Sequence, residues 1–227
     1  MIVAVHQPQY MPWLGYFDKI DRADVFVLLD NVQFKKNEWQ NRNKIKTAQG
    51  SQWMTVPVGY KYPQLINEVT INNTVRWQHK QRQSILSNYR KAPYYYYLEE
   101  FIEEIFSSHW AMISQLNIAV VRKLVALLGI DTPLFVASQI GELPNDPDER
   151  LIALTKYFGA DTYLAGRGGS QYMDLEKYSN SSIKVIFQDY KHPVYDQLFG
   201  KFEPYMSVID LIFNHGHGSL SILRGNK

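Results

Sequence analysis

The N-terminal strand–turn–helix–strand pattern constrains this chain more than any other stretch. Ile2-Val3-Ala4-Val5 is a short apolar run rich in β-branched side chains, as a buried strand requires. Pro8 and Pro12 forbid regular structure in the residues that follow. From Pro12 onward Leu14, Phe17, Ile20 and Ala23 recur about one helical turn apart. Asp24 closes that pattern, and Val25 to Leu29 is a second buried strand that runs into Asp30-Asn31. Strand, helix and strand in so short a span predict a βαβ unit with a right-handed crossover.

The rest of the chain extends the same logic. Gln33 to Lys46 is a polar segment with Lys35, Lys36, Arg42, Lys44 and Lys46 against the single acid Glu38. Trp53–Val58 and Val69–Ile71 read as strands around a Gly59-to-Pro63 loop, and helical patterns cover Val75–Arg90, Leu98–Phe106 and Met112–Leu128. The third ends at Gly129, a C′ glycine. Leu134–Ala137 is a strand. Asp146-Pro147-Asp148-Glu149 then opens a helix, with an acidic N-cap, proline at N1 and Glu at N3. Strands at Thr162–Ala165 and Ile183–Phe187 and a short helix at Val208–Phe213 complete the reading. The alternation predicts an α/β domain spanning 1–227: a mainly parallel sheet with helices on both faces, Rossmann-like or nucleotidylyltransferase-like, with a helical insertion around 75–130.

Composition narrows the function classes. A net charge of +2 provides no nucleic-acid footprint. Cysteine is absent, which excludes disulfides, thiolate metal sites and a cysteine nucleophile and matches a reducing cytoplasm, the expected location. No stretch approaches the ~20 apolar residues of a membrane span, and Met1-to-Val5 lacks a basic signal-peptide start. No stable membrane insertion is therefore expected. The 16 tyrosines and 5 tryptophans supply faces that stack on sugars or bases, besides their ordinary core role.

In open α/β sheets ligands lie beyond the carboxyl ends of strands, and three loops leave such ends. In the first, His6-Gln7-Pro8-Gln9-Tyr10-Met11-Pro12-Trp13-Leu14-Gly15, His6 suits a general base, a donor to phosphate or a simple hydrogen-bonding group. The prolines stiffen the turn, Gly15 permits close approach, and the free amides of the helix start suit an anion. The plainer alternative is a rigid turn with a hydrogen-bonded histidine and a packed Trp13, but so many special residues crowded into one loop favour a binding role. The second loop carries Asp30, Asn31 and Gln33, then Lys35, Lys36, Trp39, Gln40, Asn41 and Arg42, a mixture of phosphate-binding cations and hydroxyl-binding amides. The third, Gly166-Arg167-Gly168-Gly169-Ser170, resembles an anion-binding glycine turn but matches no P-loop or dinucleotide fingerprint. His192 lies in a Tyr-Lys-His-Pro-Val-Tyr string. His215 and His217 form a pair without a third ligand, so no metal site is assigned.

The string His6-Gln-Pro-Gln-Tyr-Met-Pro-Trp-Leu-Gly-Tyr-Phe-Asp-Lys-Ile20 and the block Asp30-Asn-Val-Gln-Phe-Lys-Lys-Asn-Glu-Trp-Gln-Asn-Arg-Asn43 resemble the WbqC-like family. So do Thr162-to-Gly166 and Phe202-to-Asn214. The resemblance implies a bacterial protein of surface-polysaccharide (O-antigen) assembly that transfers glycine or another acyl group to an amino sugar. A fainter likeness to nucleotidylyltransferases stops at Pro12-to-Tyr16, where their His-x-Gly-His motif is missing. The leading expectation is an acyl or aminoacyl transferase, its partners a sugar or nucleotide-linked sugar and an acyl donor. His6 is then the base; Asn31, Gln33 or loop amides face the oxyanion; Lys35, Lys36, Arg42 and Arg167 hold phosphates; Tyr10, Trp13 and Trp39 wall the pocket. Gln7, Gly15, Asp30, Asn41, Gly166, Gly168 and His192 complete the binding set. The alternatives are a nucleotidylyltransferase requiring Mg²⁺, or a noncatalytic sugar-nucleotide binding or scaffold protein; no other cofactor is implied, and the sequence leaves the oligomeric state open.

Overall fold

The computed structural model describes residues 1–225. In chain order, β1 (Ile2–His6), α1 (Leu14–Asp21) and β2 (Val25–Leu28) form the expected βαβ unit. Then come the short strands β3 (Arg42–Thr47), β4 (Gly50–Thr55), β5 (Val58–Gly59) and β6 (Thr70–Ile71), and the helices α2 (Trp77–Tyr89), α3 (Glu99–Ser107) and α4 (Ile113–Leu128). The remainder alternates β7 (Leu134–Val136), α5 (Pro147–Tyr157), β8 (Thr162–Ala165), α6 (Leu175–Asn180) and β9 (Lys184–Phe187). It closes with α7 (Val208–His215) and α8 (Ser219–Leu223).

Five strands make one parallel sheet in the order β7-β2-β1-β8-β9. The chain steps one way from β1 to β2 to β7, then crosses back to β8 and β9. Right-handed crossovers taken in opposite directions must place their helices on opposite faces. Accordingly α1, α4 and α7 pack with Ala4, Phe26, Leu28 and Leu164 on one face. On the other face α5 and α6 cover Val3, Val5, Val25, Val27, Tyr163 and Ala165. Alternate residues along each strand thus serve two separate cores, which is why these strands read as continuous apolar runs.

Local signals behave as their chemistry dictates. Asp146 accepts a hydrogen bond from the Glu149 amide at 2.9 Å, and α4 ends on Gly129 with φ +73°. The insertion between β2 and β7 differs from expectation. Its helices occur as predicted, but two antiparallel ladders precede them, so the interruption begins just after β2 rather than near residue 75. The polar stretch at its head is partly a strand: β3 pairs with β4 along its whole length. Lys46 in β3 is buried because its ammonium donates to the Lys201 carbonyl at 2.5 Å. Long-range carbonyls, invisible in the local pattern, make that lysine tolerable inside.

The insertion grips the turn after β1. Tyr10 donates its hydroxyl to Gln81 Oε1 at 2.5 Å and its amide to the Trp39 carbonyl at 2.9 Å. Asn43 donates to the Met11 carbonyl at 2.6 Å, and Asn117 bridges the Pro8 and Gln40 carbonyls at 3.1 and 2.7 Å.

Candidate functional site

A cavity of about 330 Å³ opens at the carboxyl ends of β1, β8 and β9. It lies where the strand order reverses, between β1 and β8, the place at which parallel sheets leave a crevice. His6, the last residue of β1, lines it together with Tyr16 and Lys19 of α1. The His6 Nδ1 is 3.1 Å from the Gln7 carbonyl, so this nitrogen is assigned the proton and Nε2 the lone pair. Burial, reinforced by the Lys19 charge and only partly opposed by the Gln7 carbonyl, lowers the His6 pKa to about 4. The ring is therefore neutral at physiological pH. Lys19 donates to the Val5 carbonyl at 2.9 Å, and burial pulls its pKa down to about 7.

Gln188, the first residue beyond β9, braces the back of the site. Its amide donates to the Gly15 carbonyl at 2.8 Å and to the Asp18 carboxylate at 2.6 Å. Asp18 also receives Arg22 at 3.1 Å, and burial raises its pKa against both donors. This tie locks the first turn of α1 to the sheet.

One wall is aromatic. The Trp13 indole lies parallel to the His192 ring, with centroids 6.2 Å apart, and meets Tyr190 and Tyr205 edge-on at 5.8 and 5.7 Å. Gly15 is what lets the indole lie there, since a Cβ at that position would stand 2.2 Å from Trp13 Cη2. Both His192 nitrogens are engaged: Nδ1 with the Pro193 carbonyl at 2.8 Å, and Nε2 accepting the Tyr205 amide at 3.2 Å. Burial lowers its pKa, so His192 serves as a neutral wall rather than a base.

The Gly166–Gly169 turn forms the opposite rim, with Arg167 exposed beside it. Gly169 is pinned under Met173, whereas Gly166 and Gly168 face open space. A second compartment of about 270 Å³, walled by Leu29, Leu151 and Tyr163, shares His6, Lys19, Gly166 and Tyr172 with the first. Neither compartment is lined by an aspartate or glutamate.

The predicted residues divide into two groups. His6, Trp13, Gly15, Gly166, Arg167, Gly168 and His192 converge on the main cavity, and Gln7 lines the second compartment. The others lie elsewhere. Tyr10 is fully buried against Gln81. The Asp30 carboxylate takes the Ser138 amide and hydroxyl at 3.0 and 2.7 Å, tying β2 to β7. Asn41 is buried and donates to the Val56 carbonyl. Asn31 is part-buried, and Gln33, Lys35 and Lys36 are exposed, all outside the lining of either compartment. Trp39 and Arg42 gather at Trp53, with the Arg42 guanidinium 4.3 Å from the indole centroid. Asp30, Asn31, Gln33 and the basic run thus build the insertion rather than the cavity.

Sequence reasoning passed over Tyr16, Lys19, Tyr172, Gln188, Tyr190 and Tyr205. Gln188 was within reach, because the strand-end rule applied to Phe187 leads to it. Tyr16 and Lys19 share the three-residue spacing of one helix face. Elsewhere, His215 Nε2 lies 2.9 Å from the Asp196 carbonyl and His217 edges onto the Tyr97 ring. Among the described residues no cluster of three or more His, Cys, Asp or Glu is placed to hold a metal ion. Nor is any helix among them long and apolar enough to cross a membrane.

The chain is similar to an uncharacterized protein of Mycobacterium tuberculosis, Rv1507c, with 36% identity over 226 residues, covering 98% of this chain and 97% of that protein. No solved structure matches it. The family model described as the WbqC-like protein family matches residues 7–222, from the turn after β1 to the last helix. The chain belongs to the WbqC-like protein family.

Proposed function

We propose that the protein is an acyl or aminoacyl transferase that acylates an amino sugar, carried on a nucleotide or lipid phosphate, for a bacterial surface polysaccharide. The carrying observation is His6, a neutral imidazole at the junction of two compartments. Group transfer between two substrates requires such a junction, and acyl transfer to an amine requires a base there. The sugar's apolar face would lie on Trp13, Tyr190 and Tyr205. Its amine would attack the carbonyl carbon, and His6 Nε2 would take the amine proton as the new C–N bond forms and the leaving group departs.

The absence of carboxylates from both linings supports an anionic substrate. The same absence weighs against the nucleotidylyltransferase alternative. Mg²⁺ is usually held by one or two carboxylates beside substrate phosphates, and the Asp18 carboxylate is taken by Gln188 and Arg22. The residues present do not fit a protein-held Mg²⁺.

Labelled glycine, offered with activated donors and a panel of nucleotide-linked amino sugars, tests the reading. Transfer is expected in the wild type and a loss of about 10²–10⁴-fold in His6→Ala. Wild-type transfer in that variant would remove His6 as the base. Binding of nucleotide sugars without transfer by any donor would favour the noncatalytic alternative.

A further inference from the structure

We propose that Lys19 is the buried counter-cation of a phosphoryl group, bound across the carboxyl edge of β1 and β8, and that the ligand supplies the negative charge the protein withholds. Lys19 is only 3% exposed, yet its ammonium makes one hydrogen bond, to the Val5 carbonyl. Among the described residues no carboxylate pairs with it. Its sequence neighbour Asp18 is turned away to Gln188 and Arg22. An ammonium desolvated without a partner is costly, and proteins rarely keep one without a use.

The surroundings name the use. Lys19 lines both compartments, and both lack acids. Nothing stands within 4 Å of where a Cβ would project from Gly166 or Gly168, which leaves room for an oxyanion against that backbone. Arg167 adds a guanidinium at the same rim. An ammonium with two unused donors, a guanidinium fork and open backbone together offer more donors than the two oxygens of a carboxylate can use. A phosphoryl group or a diphosphate bridge matches them. His6, Tyr16, Tyr163 (its ring centroid 5.9 Å from Nζ), Tyr172 and Arg167 line the compartments with Lys19, and none of them is a carboxylate. Burial holds Lys19 near pKa 7, and a bound phosphoryl group would raise it. The ligand would therefore draw in a proton. This inference rests on the sugar-phosphate reading only for where the phosphoryl group comes from.

Calorimetry of the full chain, in buffers of different ionisation enthalpy and without any acyl donor, tests it. The probes are sulfate and UDP-N-acetylglucosamine, neither of which titrates near neutrality. Binding is expected with uptake approaching one proton at about pH 8 and almost none at about pH 6. Lys19→Met is expected to bind at least about tenfold more weakly while melting no lower than the wild type. Sulfate binding assigns the site to a lone phosphoryl group, and binding of the nucleotide sugar alone assigns it to a diphosphate bridge. Binding without proton uptake at the higher pH, failure of both probes to bind, or a Lys19→Met protein that binds normally or is markedly destabilised would each overturn the proposal. The uptake measurement needs no variant. Because no acyl group is present, loss of the transferase reading would leave it standing, and transfer without uptake would sink Lys19 alone.

Discussion

At Gly15 the absence of a side chain is the property in use. The Trp13 indole occupies the space a Cβ would take, and through Trp13 the glycine sets the position of His192, Tyr190 and Tyr205. Gly15→Ala must expel the indole, because its nearest obstacle is a rigid ring rather than a flexible tip. We expect about 1–3 kcal/mol of lost stability from overpacking and a weakened ligand site, seen together by denaturant titration and tryptophan near-ultraviolet dichroism. His6 gives a pH prediction. Its folded-state pKa of about 4 lies below its ordinary 6.5, so between those values the unfolded chain binds more protons. Stability from this residue must therefore rise with pH across that window and be lost on acidification. Asp18 and Asp210, whose pKa values burial raises, act in the opposite sense. The check is the difference in urea midpoints between pH 7 and pH 5 for wild type against His6→Gln, with the variant showing the weaker dependence.

Among elements, β3 and α7 show how polar side chains hold the periphery to the sheet. Asn43, on β3, is fully buried and donates to the carbonyl of Met11, a residue held at φ +46° in the turn after β1. Asn43→Ala removes that donor and leaves the carbonyl buried. The expected cost is about 1–3 kcal/mol, with weaker ligand binding although Asn43 does not line the cavity. If affinity is unchanged, the turn holds its shape without the insertion. Asp210 of α7 accepts from Tyr89 at 2.7 Å, Tyr195 at 2.9 Å and Gln197 at 2.6 Å. Asp210→Ala strands three donors at once, and a loss of about 3 kcal/mol or more is expected in chemical denaturation. Elements differ in how far they can be read beforehand. The start of α5 and the end of α4 were legible, because Asp146, Pro147 and Gly129 act within one turn of where they stand. Strand β3 was not legible. Its arginine, lysines and asparagine read as a solvated face until partners far along the chain are known.

For the molecule as a whole, the cavity is a property of topology. Residues of β1, α1 and the β8 and β9 exits meet only because the chain reverses direction across the sheet. A ligand bound there should stabilise the whole domain. At ~100 times its dissociation constant it would add about 2.7 kcal/mol, or about 5–10 °C in melting temperature for a chain of this length. Hydrogen exchange should then slow together near residues 6–19, 166–172 and 188–192; protection confined to one of these segments would rule out a shared site. Taken alone, the amino-acid order determined the parallel α/β class, β8 to the residue, the start of α5, the end of α4 and the site candidates His6, Trp13, Gly15 and Gly166–Gly168. These depend on alternation, helical spacing and backbone chemistry over a few neighbouring residues. Only the tertiary structure decided that Asp30, Asn31, Gln33 and the basic run stand apart from the cavity, and that Lys19 and Gln188 belong to it. Whether a polar side chain is buried, paired or offered to a ligand depends on groups brought beside it from distant parts of the chain. For the turn after β1, those groups arrive from β9, α4 and the insertion hairpin.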